Sequence, residues 1–166
     1  MRLALLAALA LALAPASRAE PVKPVPAPSW KLTDVDGRVV TSDQLKGKVV
    51  VLDFWATWCG PCKSEIPGYV RLQRKYADDG LVVVGVSTDD EGPGRQALVK
   101  GFMGKLGINY TVVYSSDEVD AAFGGIDAIP TTFIIDREGR IRDKKVGARR
   151  TEDYEKEILA VLRAAP

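Results

Sequence analysis

Residues 49–67 have the sequence VVVLDFWATWCGPCKSEIP, which holds both cysteines of the chain, Cys59 and Cys62. The first seven residues form an apolar run broken only by Asp53, a pattern typical of a strand that is buried on both faces. Residues 61–77 place apolar side chains at helical spacing with charges between them, which predicts a helix. The two cysteines are therefore expected where a buried strand ends and a helix begins.

Two cysteines separated by two residues can form a redox pair, bind a metal ion or cross-link a loop. Structural zinc requires four Cys or His ligands, but this chain has two cysteines and no histidine. Attachment of c-type haem requires a histidine after the second cysteine, where this chain has Lys63. Binding of Cu(I) between the two thiolates remains open. A cross-link across so short a loop would stabilise the fold by only about 2 kcal/mol, which disfavours a purely structural role.

The redox interpretation has a mechanism. Pro61 is a favourable first-turn residue, so the helix should begin there and direct its positive end toward Cys59. This arrangement favours the Cys59 thiolate and should lower the pKa of its thiol below about 8.5. Cys62 should lie one turn into the helix, more buried and within bonding distance. We therefore expect an exposed Cys59 to attack a substrate disulfide and Cys62 to resolve the mixed disulfide.

The composition excludes several classes of protein. A chain of 166 residues, of which 46% are hydrophobic and 27% charged, predicts one soluble domain of ordinary size. The net charge of +1, with scattered lysines and arginines, gives no reason to expect nucleic acid as a partner. The lack of histidine excludes Ser-His and Cys-His catalytic pairs and histidine-bound zinc, iron or haem. The chemistry is therefore expected to rest on the two thiols, with no cofactor.

The N-terminus has the features of an export signal. Arg2 is followed by a short apolar run, and small residues allow cleavage after Ala19, so residues 1–19 predict a signal peptide. An uncleaved membrane anchor is the alternative, although the run is short for a helix that spans a bilayer. Residues 20–29 contain four prolines and predict an extended linker, which leaves residues 30–166 as the folded domain. We expect the mature protein in the bacterial periplasm.

The rest of the chain predicts alternating strands and helices. Residues 31–41 predict a hairpin that turns at Asp36-Gly37. Further strands are predicted at residues 81–88, 111–115, 131–136 and 140–147, and further helices at residues 97–106, 117–125 and 151–164, the last capped by Thr151. Alternation of this kind implies a mostly parallel central sheet covered on both faces.

Two motifs together resemble the thioredoxin superfamily: VVVLDFWATWCGPCKSEIP and, at residues 125–140, GIDAIPTTFIIDREGR. The hairpin before the active-site strand and Glu65 are more similar to the TlpA/ResA/CcmG branch of exported thiol–disulfide oxidoreductases. The resemblance covers residues 30–164. It implies an α/β fold, a three-layer α/β/α sandwich with a central mixed sheet and an N-terminal β-hairpin, and it implies a thiol–disulfide oxidoreductase.

The resemblance also implies roles for residues outside the cysteine pair. Pro130 matches the family's cis-proline opposite Cys59, and the backbone of Ile129 would then pair with an extended substrate. Asp53 matches a buried aspartate that exchanges protons with Cys62. An aspartate paired with Lys46 or Lys48 is the alternative for Asp53, because a buried carboxylate is costly unless a cation neutralises it.

Glu65 matches an acidic residue that titrates with the active site, whereas its sequence position alone would suit a solvent-facing helix residue. Three residues are expected to contact substrate beside Cys59, namely Trp58, Gly60 and Pro61, and Trp55 is expected in the core. No metal ligand is assigned.

The resemblance implies a reductant of protein disulfides, for example in cytochrome c maturation or copper-site assembly, recharged by a membrane thiol-transfer protein. The Gly60-Pro61 dipeptide is that of thioredoxin, which has a reduction potential of about −270 mV. A thiol peroxidase of the same superfamily is one alternative, but its Pro-x-x-x-Thr-x-x-Cys pattern meets Leu52 and Ala56 here. A Cu(I)-carrying module without enzymatic activity is the other.

Overall fold

The computed structural model describes residues 24–164, so the predicted signal peptide at residues 1–19 lies outside the described residues. The strands are β1 (Val25–Pro26), β2 (Lys31–Thr33), β3 (Val39–Thr41), β4 (Val49–Trp55), β5 (Leu81–Ser87), β6 (Thr111–Tyr114), β7 (Thr131–Ile135) and β8 (Arg140–Val146). The helices are α1 (Gly60–Tyr76), α2 (Arg95–Leu106), α3 (Asp117–Ala122) and α4 (Thr151–Arg163), with a 3-10 helix at Ser42–Leu45. Between residues 24 and 164, no helix combines the length and the apolar character needed to cross a bilayer.

The central sheet is mixed, with strand order β1-β8-β7-β4-β5-β6. Strand β5 runs parallel to its neighbours β4 and β6, whereas the other three pairings are antiparallel. The mixed sheet expected from the resemblance is confirmed, and the mostly parallel sheet expected from the alternation is wrong. The reason is the short helix α3, since the chain leaves β6 and enters β7 at the same end of the sheet without a full crossover.

The two faces of β4 belong to two separate cores, because successive side chains of a strand point to opposite faces. Val49, Val51 and Trp55 pack with buried side chains of α1, α2 and α4. On the other face, Leu52 and Phe54 pack with side chains of α3 and of the β2–β3 region. Helical layers therefore cover both faces of the sheet, and every residue of β4 is buried, as its sequence predicts.

The folded domain begins earlier than residue 30. Val25 pairs with Ile141 at the edge of the sheet, and the backbone N–H of Ala27 donates to Gly139 at 2.8 Å. Part of the predicted linker, residues 20–29, therefore belongs to the domain. Proline permits this pairing because an edge strand needs donors on one side only.

One predicted helix cap is also wrong. The position before α4 is occupied by Arg150, which makes no side-chain capping hydrogen bond, and Thr151 is the first helical residue. The Thr151 hydroxyl instead accepts a hydrogen bond from Arg71 of α1, at 3.4 Å. A contact between two helices thus takes the place of the cap that the local sequence suggests.

Gly85 of β5 lies opposite Asp53 of β4, where a larger side chain would not fit. A Cβ atom there would come within 2.7 Å of the Trp55 indole nitrogen and 3.3 Å of the Tyr110 ring. We expect Gly85→Ala to lower the free energy of unfolding by about 1–3 kcal/mol, because the core must shift to accept the methyl group. Denaturant unfolding checks this.

Gly101→Ala in α2 is the matched control, since a Cβ atom meets nothing within 4 Å there. Alanine in a helix interior should raise the free energy of unfolding by about 0.5–1 kcal/mol. Equal effects of the two substitutions would contradict the packing argument for Gly85.

Candidate active site

The two cysteines form a disulfide at the start of α1, with an S–S distance of 2.02 Å. Cys59 is the N-cap residue, and its sulfur accepts a hydrogen bond from the backbone N–H of Cys62 at 3.2 Å. The predicted position of the pair between a buried strand and a helix is confirmed. The expected exposure of Cys59 is wrong for this disulfide form: the residue is 4% exposed, and it packs within the core cluster that also contains Cys62.

The surface around the disulfide is apolar. Trp58 is 66% exposed, and both Gly60 and Pro61 are exposed beside it. Trp55, by contrast, is fully buried and stacks on Phe102 with ring centroids 5.2 Å apart. Trp55 therefore belongs to the core, and Trp58 is available for contact with another molecule, as the sequence predicts.

The peptide bond between Ile129 and Pro130 is cis, as the resemblance implies. Because Thr131 pairs with Phe54, the cis-proline lies at the end of the sheet from which the chain leads to Cys59. Ile129 is partly buried and packs against the cluster that contains both cysteines.

Val146 is an exposed apolar residue at the same end of the sheet that was not predicted from the sequence. It pairs with Thr131, and the next N–H in the chain, that of Gly147, donates to the carbonyl of Pro130 at 2.8 Å. Its sequence context offers no signal, because the residues before it in β8 are charged and suggest a solvated strand.

Asp53 is buried in β4, the strand that leads to the cysteines, and no residue between 24 and 164 forms a salt bridge with it. Its side chain is 1% exposed, and its Oδ1 accepts a hydrogen bond from the Thr132 hydroxyl at 3.0 Å. Burial, reinforced by the nearby Glu65 carboxylate, raises the pKa of Asp53 well above its ordinary value. The alternative of an ion pair is wrong: Lys46 pairs with Asp43 at 2.8 Å, and Lys48 is exposed.

Glu65 faces the protein interior, so the alternative of a solvent-facing residue is wrong. It is 5% exposed, and its Oε1 accepts a hydrogen bond from the backbone N–H of Arg149 at 2.6 Å. Its Oε2 is buried and has no hydrogen-bond partner among the described residues 24–164. Burial raises the pKa of Glu65, although the Arg149 N–H opposes the shift. Three positions after Cys62, it shares the inner face of α1.

The Thr132 hydroxyl contacts Asp53, and two tyrosine hydroxyls contact Thr132; none of the three was predicted from the sequence. The Thr132 oxygen lies 3.0 Å from the hydroxyl of Tyr69 on α1 and 3.0 Å from that of Tyr154 on α4. All three side chains are buried. The available signal was a polar residue in a buried strand, a feature that Thr132 of β7 shares with Asp53 of β4.

Asp89 is a third buried carboxyl residue near the cysteines, and it was not predicted from the sequence. Both of its oxygens lie 3.1 Å from the backbone N–H of Thr57, and Oδ1 accepts from the Thr57 hydroxyl at 2.6 Å. Its Oδ2 accepts a further hydrogen bond from Ser87 at 2.9 Å. Asp89 thus anchors the loop that leads from β4 to Cys59.

Comparison with known proteins agrees with this site. A family model described as Redoxin matches residues 23–162. The chain belongs to the Redoxin family. It is 31% identical to the thiol-disulfide oxidoreductase ResA of Bacillus thuringiensis (strain Al Hakam) over 129 residues, which are 78% of this chain and 72% of that protein.

Solved structures place this redoxin among proteins with a thioredoxin-like fold. A thiol:disulfide interchange protein of the thioredoxin family from Chlorobium tepidum is 38% identical, with a TM-score of 0.76 over 85% of this chain and 98% of that one. The thioredoxin domain of a thiol-disulfide oxidoreductase from Bacteroides vulgatus is 26% identical, with a TM-score of 0.73 over 84% and 98%. The redoxin is therefore a thiol–disulfide oxidoreductase with the CxxC pair Cys59–Cys62.

Asp53→Asn should make this redoxin more stable at neutral pH. Because burial raises the pKa of Asp53 in the folded state, the stability of the wild type falls as the pH rises above the unfolded value of about 3.9 toward the folded value. Asparagine keeps the shape and removes this cost. We expect a higher Tm than wild type at pH 7 and a smaller difference near pH 4, measured by calorimetry.

Asp43→Asn is the control for this experiment, since Asp43 is exposed. It should leave Tm almost unchanged at both pH values, because exposed ion pairs contribute little. A lower Tm for Asp53→Asn at pH 7 would contradict the assigned direction of the pKa shift.

Asp89→Ala should loosen the loop before Cys59. The substitution leaves the buried Thr57 N–H and two hydroxyl groups without their acceptor, so we expect the free energy of unfolding to fall by about 2–3 kcal/mol. Alkylation of Cys59 in the reduced protein should also change in rate. Asp90→Ala, at the exposed neighbouring position, should change neither quantity, and equal effects of the two substitutions would refute the anchoring role.

Proposed function

We propose that this redoxin is an exported reductant of protein disulfides, with Cys59 as the nucleophile and Cys62 as the resolving cysteine. The observation that supports this most is the pair of buried carboxyl groups, Asp53 and Glu65, which the described residues leave without a salt-bridge cation. Buried carboxyl groups of this kind supply no positive charge that would stabilise a thiolate at the cysteines. A less stabilised thiolate makes the dithiol a better reductant, because strong oxidants are those whose reduced form is stabilised.

The proposed reaction transfers two electrons from the dithiol to the substrate. The Cys59 thiolate attacks one sulfur of the substrate disulfide, the S–S bond breaks, and the other sulfur leaves as a thiolate that takes a proton from water. Cys62 then loses its proton to the Asp53 carboxylate and attacks the Cys59 sulfur. The second substrate thiolate leaves, and the Cys59–Cys62 disulfide remains, as in this structure.

Substrate recognition is proposed at the apolar surface around the disulfide. The exposed side chains of Trp58, Pro61 and Val146 offer apolar contact area. The backbone of Ile129, next to the cis-proline, offers hydrogen bonds to an extended segment of substrate, in the manner of strand addition. Contacts of this kind suit a protein substrate with an accessible disulfide.

The proposed location is the periplasm, on the strength of Arg2 and the apolar run that follows it. The periplasm is kept oxidising, so a reductant there needs electrons from the cytoplasm, supplied through a membrane thiol-transfer protein. The proposed substrates are protein disulfides, for example those reduced in cytochrome c maturation or copper-site assembly, as the resemblance of the two sequence motifs to the TlpA/ResA/CcmG branch implies.

The reduction potential tests the proposed direction. We expect equilibration with glutathione to give a value nearer the −270 mV of thioredoxin than the roughly −120 mV of DsbA. Alkylation of growing cells should trap Cys59 and Cys62 as thiols. A potential above about −150 mV, with the disulfide predominating in cells, would identify an oxidant instead.

A further inference from the structure

The turn that leads into β7 carries the backbone proposed to bind substrate. Ala128, Ile129 and Pro130 lie outside any helix or strand, directly before β7 (Thr131–Ile135). Their main-chain groups therefore have no partners in the sheet, and each must bond elsewhere in the protein or outside it. The groups that the protein itself occupies decide which ones a bound segment can use.

The side chain of Thr131 ties down the first carbonyl of this turn. Its hydroxyl donates to the carbonyl of Ala128 at 2.7 Å, and the residue is 2% exposed. Thr131 is itself fixed on both sides, because it pairs with Phe54 of β4 and with Val146 of β8. The Ala128 carbonyl is thus connected to the central sheet.

Gly147 ties down the last carbonyl of the turn. Its N–H, directly after β8, donates to the carbonyl of Pro130 at 2.8 Å. The φ angle of Gly147 is 80°, a left-handed conformation that glycine adopts without steric cost. A Cβ atom there would meet nothing within 4 Å, so it is the backbone conformation that requires glycine.

Ile129, between the two occupied carbonyls, is the residue of the turn that can pair with another chain. Its N–H and C=O make no hydrogen bond with any residue between 24 and 164. Pro130 has no N–H to offer. A strand residue in a hydrogen-bonded pair exchanges both of its bonds with one partner residue. A shift by two positions toward β7 would meet Thr131, which already pairs within the sheet, so an added strand has one register at Ile129.

We propose that Thr131 and Gly147 form a clamp that presents Ile129 to the substrate and so fixes the register of the bound segment. This inference rests on the proposed function, because it requires the substrate to add as a strand at Ile129. Thr131 and Gly147 are positioning residues, since they act through the turn and do not contact substrate. The substrate class is therefore an extended segment with an N–H at one fixed distance from its reactive cysteine, where proline is not accepted.

The test uses the reduced protein and a short peptide of alternating valine and threonine around a central cysteine, whose sulfur is joined to thionitrobenzoate. Cys59 attacks the peptide sulfur, the S–S bond breaks, and the coloured thionitrobenzoate thiolate leaves. Cys62 then displaces the peptide thiolate, and the Cys59–Cys62 disulfide forms. Stopped-flow measurement over a range of peptide concentrations gives the half-saturating concentration and the maximum rate separately. The mixed disulfide of free cysteine with thionitrobenzoate reports attack without flanking residues.

Thr131→Val keeps the shape of the side chain and removes its hydroxyl. We expect the half-saturating peptide concentration to rise about fivefold or more, the factor that one hydrogen bond contributes. The maximum rate and the reaction with the cysteine disulfide should stay unchanged, because neither depends on strand addition. Thr131→Ser restores the hydroxyl and should recover most of the affinity. Thr111→Val, at an exposed position of β6, is the control and should change none of these quantities.

Gly147→Ala tests the other end of the clamp, and Gly139→Ala is its matched control. The two glycines flank β8, with φ angles of 80° and 75°, and neither would place a Cβ atom within 4 Å of another group. Each donates its N–H to a main-chain carbonyl. The two substitutions should therefore lower stability alike, but only Gly147→Ala should raise the half-saturating concentration. An equal rise in both would refute the clamp.

A series of peptides, each N-methylated at one residue, separates the clamp from the proposed function. Methylation removes one N–H, and we expect a single position to weaken binding to the wild type about fivefold or more. In Thr131→Val the loss at that position should be smaller, because the turn no longer holds Ile129 in one place.

The outcomes then decide between the two. If no methylated position matters in the wild type, strand addition at Ile129 is refuted and the clamp with it. If one position matters but Thr131→Val and Gly147→Ala bind peptide like the wild type, the clamp is refuted and strand addition stands. If Thr131→Val does not fold, the comparison of Gly147→Ala with Gly139→Ala decides the question.

Discussion

The structure depends on the complete burial of β4, the strand that leads to the cysteines. All seven of its residues are buried, and it pairs with β5 on one side and β7 on the other. A polar side chain on such a strand must find its partners inside the protein. Asp53 accepts a hydrogen bond from Thr132 on the adjacent strand β7. The Thr132 oxygen is also hydrogen-bonded to tyrosine hydroxyls of α1 and α4. The buried carboxyl group of Asp53 therefore requires polar partners in the core, and Thr132, Tyr69 and Tyr154 form the hydrogen-bonded cluster around it.

The same strand fixes the position of the reactive pair. Because β4 is held by hydrogen bonds on both edges, its end at Trp55 is rigid, and Asp89 anchors the next turn through Thr57. Cys59 then begins α1 as its N-cap. A rigid strand and an anchored loop place the sulfur with little freedom, which is what thiol–disulfide exchange requires of an attacking group.

The sequence predicted the features that depend on neighbouring residues. The apolar run of β4 and the cysteine spacing are local, and each was confirmed. The helix predicted to start about Pro61 begins one residue earlier, at Gly60. The interior position of Glu65 was not predictable from spacing, because the partner that holds it, Arg149, is 84 residues away. The Thr132 cluster and the Asp89 anchor likewise join distant segments. Strand β7 runs antiparallel to β4 because the connection through the short helix α3 is not a full crossover. The alternation of strands and helices in the sequence does not reveal this.

Burial alone does not decide the charge of an aspartate in this protein, as a comparison of two of them shows. Asp136 is nearly as buried as Asp53, and burial pushes its pKa upward, but the backbone N–H and guanidinium of Arg140 outweigh that effect and lower it. Asp53 has one neutral hydroxyl donor and a carboxyl neighbour, so its pKa rises. The raised pKa brings Asp53 closer than an ordinary aspartate to the pH range in which thiols ionise. No described residue forms a salt bridge with Asp53, which suits the proposed proton exchange with Cys62. An arginine beside Asp53 would lower its pKa, as Arg140 does for Asp136.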